Sequence, residues 1–214
     1  MVDRVCVLGA GSWGTTVAAL AGRRLPTALW CRRPALAAAM AASRRNPDYL
    51  PDLVLPETLE VTAELSEAVR GASLVVVAVP SQGFREVVVA ARPWLEPGVP
   101  LVSLTKGLER GSHARMTQIL AEELPSHPRG VLSGPNLAQE IAAGHPAATV
   151  VAMTDPAAAS LVQRLLHTER LRIYTNPDVV GCEVAGVTKN VLALAAGMAV
   201  GLGLGDSSVA ALVT

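Results

Sequence analysis

Apolar residues in this chain come in short blocks, and the spacing inside the blocks changes repeatedly along the sequence. "RVCVLG", residues 4–9, is a continuous apolar run that predicts a buried strand. "WGTTVAALAGRR", 13–24, carries Val17, Ala18 and Leu20 at helical spacing, and "TALWCRR", 27–33, is strand-like again. "PALAAAMAASRR", 34–45, predicts a helix with Pro34 suited to its first turn. The proline-punctuated "NPDYLPDLVLPE", 46–57, predicts a loop, and "LSEAVRGA", 65–72, a short helix capped by Ser66. "SLVVVAVP", 73–80, is the strongest strand pattern in the chain. Helices at 82–95, 112–124, 136–144 and 155–168 then alternate with strands at 100–106, 129–134, 147–153 and 171–176.

Such alternation predicts an α/β fold built on a doubly wound, largely parallel sheet. After Pro177 the texture changes. "DVVGCEVAGVTKNVLALAAGMAVGLG", 178–203, reads as one long apolar helix, and "SVAALVT", 208–214, opens another with no stop signal. The expected organisation is an α/β domain over 1–178 followed by the first helices of an all-α domain over 179–214, cut short as in a fragment. Between Val184 and Gly205 the only charge is Lys189. The uncharged part, Val191 to Gly205, is shorter than the roughly 18–20 residues a membrane span needs. A buried helix, with no membrane insertion, is the expectation.

Composition narrows the partners. Among 214 residues, 18 Lys and Arg balance 18 Asp and Glu, which leaves no broad electrostatic case for nucleic acid or an anionic membrane. Any anion must be held by a local site. Cys6, Cys31 and Cys182 are odd in number and far apart, and no pair among His113, His127, His145 and His167 has ligand spacing. Neither a disulfide framework nor a metal site is expected. Asp3 and Arg4 interrupt any signal-peptide pattern, so a cytoplasmic location is expected. Trp30 and Trp94 read as packing residues, and His113 and His127 as solvent-facing.

The candidate chemistry begins with "GAGSWG", where Gly9, Gly11 and Gly14 follow the first strand and open the first helix. That is the context in which such glycines hold a dinucleotide. The first permits the tight turn, the second lets backbone approach the pyrophosphate, and the third lets helix and strand pack closely. The fold is therefore expected to be of the Rossmann type. An acidic residue closing the second strand would favour NAD; "WCRRP" offers Arg32 and Arg33 instead, suited to a 2′-phosphate. NADP(H) is the expected preference, with NAD(H) left open. A solvated surface pair is the alternative reading of these arginines.

Lys189 stands alone in an apolar stretch, where burial would lower its pKa and fit it to exchange a proton near neutral pH. Snorkelling outward is the alternative. Glu183, Gly186, Asn190, Ala193 and Gly197 share one helical face, mostly small. Lys106 closes the strand "PLVSLTK", at the edge where ligands of open α/β sheets gather, and "SGPN", 133–136, turns sharply after another strand. "PSQGF", 80–84, is a loop whose backbone N–H groups could touch a coenzyme.

By "GAGSWG", "RRNPDYLP", "TKGLE", "SGPNLAQEI" and "EVAGVTKNVLALAAG", the sequence resembles the bacterial NAD(P)-dependent glycerol-3-phosphate dehydrogenases over essentially its whole length. The resemblance implies hydride transfer between dihydroxyacetone phosphate and sn-glycerol 3-phosphate, in service of glycerophospholipid synthesis. It implies coenzyme contacts at Gly9, Gly11, Ser12, Trp13, Gly14, Arg32, Arg33, Tyr49, Lys106 and Ala138. It implies substrate contacts at Lys106, Gly134, Asn136, Lys189 and Asn190, with Lys189 the catalytic lysine. "GVTKN" replaces the family's usual "GALKN", and Ser208 stands where relatives often carry asparagine. The family's second, helical domain supplies an arginine–asparagine clamp for the substrate phosphate and an aspartate near the reacting carbon, none of them in this sequence.

Three readings stay open on sequence alone. One is the dehydrogenase, with a homodimer as a compatible assembly. The second is a nucleotide-binding module without turnover, lacking the phosphate clamp. The third is a related reductase acting on ketopantoate or a hydroxy acid.

Overall fold

The computed structural model describes residues 3–214. Strand β1 (Val5–Leu8) leads into α1 (Ser12–Gly22), then β2 (Thr27–Trp30), α2 (Pro34–Ser43), β3 (Leu59–Thr62), α3 (Leu65–Val69) and β4 (Leu74–Val77). Next come α4 (Phe84–Ala91), β5 (Leu101–Ser103), α5 (Met116–Glu123), β6 (Arg129–Ser133), α6 (Ala138–Ala142), β7 (Ala147–Met153), α7 (Pro156–Leu166) and β8 (Leu171–Asn176). Two helices, α8 (Val179–Gly201) and α9 (Asp206–Val213), complete the chain. The eight strands form one sheet in the order β3-β2-β1-β4-β5-β6-β7-β8, parallel throughout except where β7 runs against β6. The Rossmann-type, largely parallel sheet anticipated from the alternation is therefore present, followed by helices.

Strand periodicity explains the two-sided core. Val5 and Val7 point to one face, among Val17 of α1, Leu36 and Met40 of α2, and Val162 of α7. Cys6 and Leu8 point to the other, among Phe84 and Val88 of α4 and Ile119 and Leu120 of α5. Helices cover both faces, so the central strands have no polar positions to spare and read as continuous apolar runs. Burial pushes the Cys6 thiol up to about 12, so it stays protonated and packs as a small apolar group.

Several expectations are corrected. Strand β3 lies just after the proline-rich stretch and was not anticipated, because its "LEVT" buries only Leu59 fully and its proline-rich surroundings suggest a loop. Ser66 does not cap α3; the cap position is Glu64, whose N–H donates to the Thr62 hydroxyl. Helix α5 starts at Met116 rather than Ser112, since His113 adopts a left-handed backbone and Leu108 bridges to Arg115 first. His127 is buried, its ring Nδ1 2.8 Å from the Val99 carbonyl, rather than solvent-facing. Trp30 packs as expected, whereas Trp94 is partly exposed beneath the Arg70 guanidinium.

Helix α8 is also unlike its expectation. Its first half touches β6 and β7, but Val191, Leu194, Met198 and Val200 are exposed. Measured as a whole, α8 is long and apolar enough to cross a membrane by length and composition. Its first turns nonetheless carry a buried carboxylate that ties them to the α/β unit. Glu183 accepts hydrogen bonds from the Thr117 N–H (2.9 Å), the Thr117 hydroxyl and the Arg115 guanidinium. An ion removed from water in this way is tolerated only because charge and hydrogen bonds are both satisfied.

Candidate active site

The strand order reverses between β1 and β4, and their carboxyl ends open a crevice where ligands of such sheets bind. Gly9 leaves β1 with φ +119°, a conformation that L side chains rarely adopt; a Cβ there would also collide with the Ala78 carbonyl after β4. At Gly14 a Cβ would collide with the Gly9 carbonyl, so only glycine lets α1 sit this close. Gly11 is different: an added Cβ would meet nothing within 4 Å, and its backbone borders open space. Thr15 makes the first helical hydrogen bond, to the Gly11 carbonyl, which leaves the amides of Ser12, Trp13 and Gly14 without intrahelical acceptors. No side chain caps α1 and no acid lies in its first turn. These observations fit a dinucleotide pyrophosphate.

Asn46, which the sequence reading passed over, braces this turn. Fully buried, it donates from Nδ2 to the Ala10 carbonyl (2.9 Å) and the Thr15 hydroxyl (2.8 Å). An asparagine at the start of a proline-rich loop carries no periodic signal, so nothing in its neighbourhood marked it.

Two cavities meet at Ala78, Val79 and Pro80. The larger, about 800 Å³, runs from Gly9 and Gly11 past Arg32, Arg33, Leu36 and Tyr49. The smaller, about 290 Å³, is lined by Trp13, Ser81, Leu104, Thr105 and Lys106. Their placement on either side of the glycine turn suits the adenosine and nicotinamide halves of a dinucleotide. Gln82 and Gly83 of the "PSQGF" loop also line the larger cavity.

Of the two arginines, Arg32 is exposed at the groove, while Arg33 is ion-paired with Asp48 in the proline-rich loop. The Asp48 hydrogen bond holds the Arg33 guanidinium more firmly protonated than usual. Of the pair read from "WCRRP", one member is thus already engaged by a carboxylate.

Lys106 is positioned from several sides. Its Nζ donates to the Gly134 carbonyl (2.9 Å), and the Thr105 hydroxyl donates to the Val79 carbonyl (2.6 Å). Further along the same loop, Glu109 receives two bonds from Arg85 of α4, both 2.8 Å. Helix α8 arrives at Gly186, where a Cβ would lie 3.2 Å from the Ser133 hydroxyl oxygen and 3.7 Å from Lys106 Cγ. The Lys106 ammonium is pushed below the ordinary lysine range, first by burial and second by the positive charge of Lys189. The structure thus joins Lys106 to Gly134 directly and sets α8 near enough for the charge of Lys189 to act on Lys106. Asn136, bonded through Nδ2 to the Ala148 carbonyl, belongs to the same "SGPN" turn. Ala138 lies across from α1, its carbonyl accepting from the Thr16 hydroxyl at 3.3 Å.

Lys189 itself does not sit as expected. It is exposed, as is Asn190, rather than buried in the apolar stretch that carries it. Of the small face on α8, Glu183 and Gly186 are buried, whereas Asn190, Ala193 and Gly197 are open.

Comparison with known proteins bears directly on this geometry. The family model for the N-terminal part of NAD-dependent glycerol-3-phosphate dehydrogenase matches residues 4–159, and the model for the C-terminal part matches 178–214. The chain belongs to the NAD-dependent glycerol-3-phosphate dehydrogenase family. It is 48% identical over 211 residues to glycerol-3-phosphate dehydrogenase [NAD(P)+] 2 of Sphingopyxis alaskensis, covering 99% of this chain and 63% of that protein. It is 50% identical to glycerol-3-phosphate dehydrogenase [NAD(P)+] of Nocardia farcinica, covering all of this chain and 66% of that protein. The crystal structure of glycerol-3-phosphate dehydrogenase from Coxiella burnetii superposes with a TM-score of 0.91 at 36% identity, over 99% of this chain and 65% of that one. The chain thus spans slightly under two thirds of the length of the glycerol-3-phosphate dehydrogenases it matches. The glycine turn at 9–14 and Lys106 fall in the N-terminal matched segment, and Gly186, which packs beside Lys106, falls in the C-terminal one.

Proposed function

We propose that this chain carries the coenzyme site and the catalytic lysine of an oxidoreductase that interconverts dihydroxyacetone phosphate and sn-glycerol 3-phosphate. The observation that carries the reading is Lys106, held by the Gly134 carbonyl on the wall of the cavity that Trp13 also lines, where the charge of Lys189 on α8 reaches it. The division into a coenzyme-binding part, 1–178, and the start of a helical substrate part, 179–214, belongs to the same proposal.

The residues divide the work by chemistry. The amides behind Gly11, with Ser12 and Trp13, hold the pyrophosphate; Arg32, Arg33 and Tyr49 take the adenosine end, accepting NADP(H) and NAD(H). Ala138 borders the coenzyme beside α1. When bound, the nicotinamide supplies or takes up the hydride. Carbonyl reduction builds negative charge on oxygen, and Lys189 holds the proton that this oxygen receives. Lys106, fixed by the Gly134 carbonyl, places a second positive charge at the same oxygen edge, while Asn136 and Asn190 orient the polar end of the substrate. A phosphorylated small molecule suits a chain of zero net charge that concentrates two ammoniums at one point. A cytoplasmic enzyme of glycerophospholipid synthesis, assembled as a homodimer through the open face of α8 and not inserted in a membrane, completes the reading.

The test is Lys189→Ala in the full-length protein. Reduction of dihydroxyacetone phosphate should fall by roughly a hundred- to ten-thousand-fold. NADPH affinity, read by fluorescence titration, should stay within about twofold. A loss of coenzyme binding as large as the loss of turnover would make Lys189 a structural residue and overturn its assignment.

A further inference from the structure

The larger cavity is lined by both Arg32 and Arg33, but the two guanidiniums are not equally free. Arg33 sits at the end of the β2 crossover with its guanidinium ion-paired to Asp48, three residues before Pro51 in the facing loop, while Arg32 stands beside it with no salt bridge among the described residues. Both members of the pair are about half exposed, at 54% and 43% of their side-chain surface. Exposed ion pairs of this kind are weak and exchange readily.

We propose that Asp48 is the residue that sets coenzyme choice in this protein, by occupying Arg33 and so holding NADP(H) affinity down to a level comparable with NAD(H). This role for Asp48 rests on the coenzyme site proposed above. A 2′-phosphate carries about −1.5 to −2 charges near neutral pH and binds best to a pair of guanidinium forks. Here one fork must first leave a carboxylate. The carboxylate then stays on the same rim, next to Tyr49, as a like charge facing the incoming phosphate. The 2′-hydroxyl of NAD(H) is neutral, so it meets neither penalty. Guanidiniums are donors only, and a rim made of Arg32 and Arg33 alone would offer such a hydroxyl no acceptor; Asp48 supplies the acceptor chemistry at that rim. No acid closes β2, where it would ordinarily stand. Asp48 provides the negative charge from the facing loop instead.

The experiment is a fluorescence titration of NADPH and NADH on the full-length protein, comparing wild type with Asp48→Asn, Arg33→Ala and the double variant. Asparagine keeps the size of the side chain at an exposed position and removes its charge. Asp48→Asn should tighten NADPH by about three- to tenfold and change NADH by less than twofold. In the Arg33→Ala background the NADPH gain should shrink to less than half of that ratio, because the competitor has lost its target. An Asp48→Asn variant whose NADPH-to-NADH affinity ratio matches wild type overturns the inference while leaving the coenzyme site intact. A full NADPH gain that persists without Arg33 also overturns it. Failure of wild type to bind either coenzyme would instead overturn the site assignment on which the inference depends.

Discussion

The glycine turn at residues 9–14 and the helix at 179–201 both carry several small residues, yet their surroundings are opposite. In the turn, Gly9 and Gly14 are fixed by the carbonyls of Ala78 and Gly9, and a single methyl group has nowhere to go. On α8, Gly197 and Gly201 meet nothing within 4 Å, and the apolar side chains around them are exposed. The geometry of the turn is thus fixed by backbone contacts within the α/β unit. Lys189 is presented by a helix whose first turns are tied to the α/β unit through Glu183 and Gly186, while most of its later apolar side chains are exposed.

That contrast can be broken at its anchor. Glu183→Ala would strand the Arg115 guanidinium and the Thr117 donors, and loss of one partner of a buried ion pair costs about 3–5 kcal/mol. Chemical denaturation should show most of that loss, with the amides of the first turns of α8 exchanging faster. A loss under about 1 kcal/mol would mean that packing, not the carboxylate, holds the helix. Next in size is Gly14→Ala, which should lower stability by about 1–3 kcal/mol and abolish NADPH binding, because α1 must retreat from the turn. Gly197→Ala provides the opposite case: in open helical surroundings it should stabilise by up to about 1 kcal/mol. If the two glycine variants behaved alike, the contrast between the regions would be false.

The smallest effect concerns the loop that carries Lys106. Hydrogen bonds from Arg85 and then from the Ser112 hydroxyl hold the Glu109 carboxyl down at about 2, against an ordinary 4.5. A carboxylate depressed on folding adds stability above its unfolded pKa and loses it as pH falls through the folded value. The Arg85–Glu109 contribution should therefore be complete above about pH 4.5 and fade towards pH 2. Glu109→Gln should flatten the fall of Tm in that window by a small, measurable amount. An unaltered slope would show that Glu109 is not coupled to the fold.

Most of the α/β unit was legible because its signals are local. Fully buried strands such as Leu74–Val77 have no polar positions, and the glycine turn states its backbone demands in its own residues. What escaped depends on contacts far apart in sequence. Strand β3 exists because β2 offers it an edge, not because "LEVT" is strongly apolar. Asn46 matters only because the chain folds back onto residues 10 and 15. Glu183 looked like one member of a small helical face, and its partners lie 66 and 68 residues earlier. The pairing of Arg33 with Asp48 is equally invisible: "WCRRP" announces two positive charges, and only the facing loop shows that one of them is engaged. For Lys189 the apolar stretch pointed to burial, but an apolar stretch in sequence is not the same as burial in space, and the side chain is exposed.

Hydrogen exchange with and without saturating NADPH would test the central claim, that the coenzyme site is preformed within the α/β unit. New protection is expected at residues 9–16, 78–83 and 104–107, with the amides from Val191 to Gly201 unchanged by coenzyme alone. Protection confined to α8 and α9, with the glycine turn exchanging as before, would contradict it.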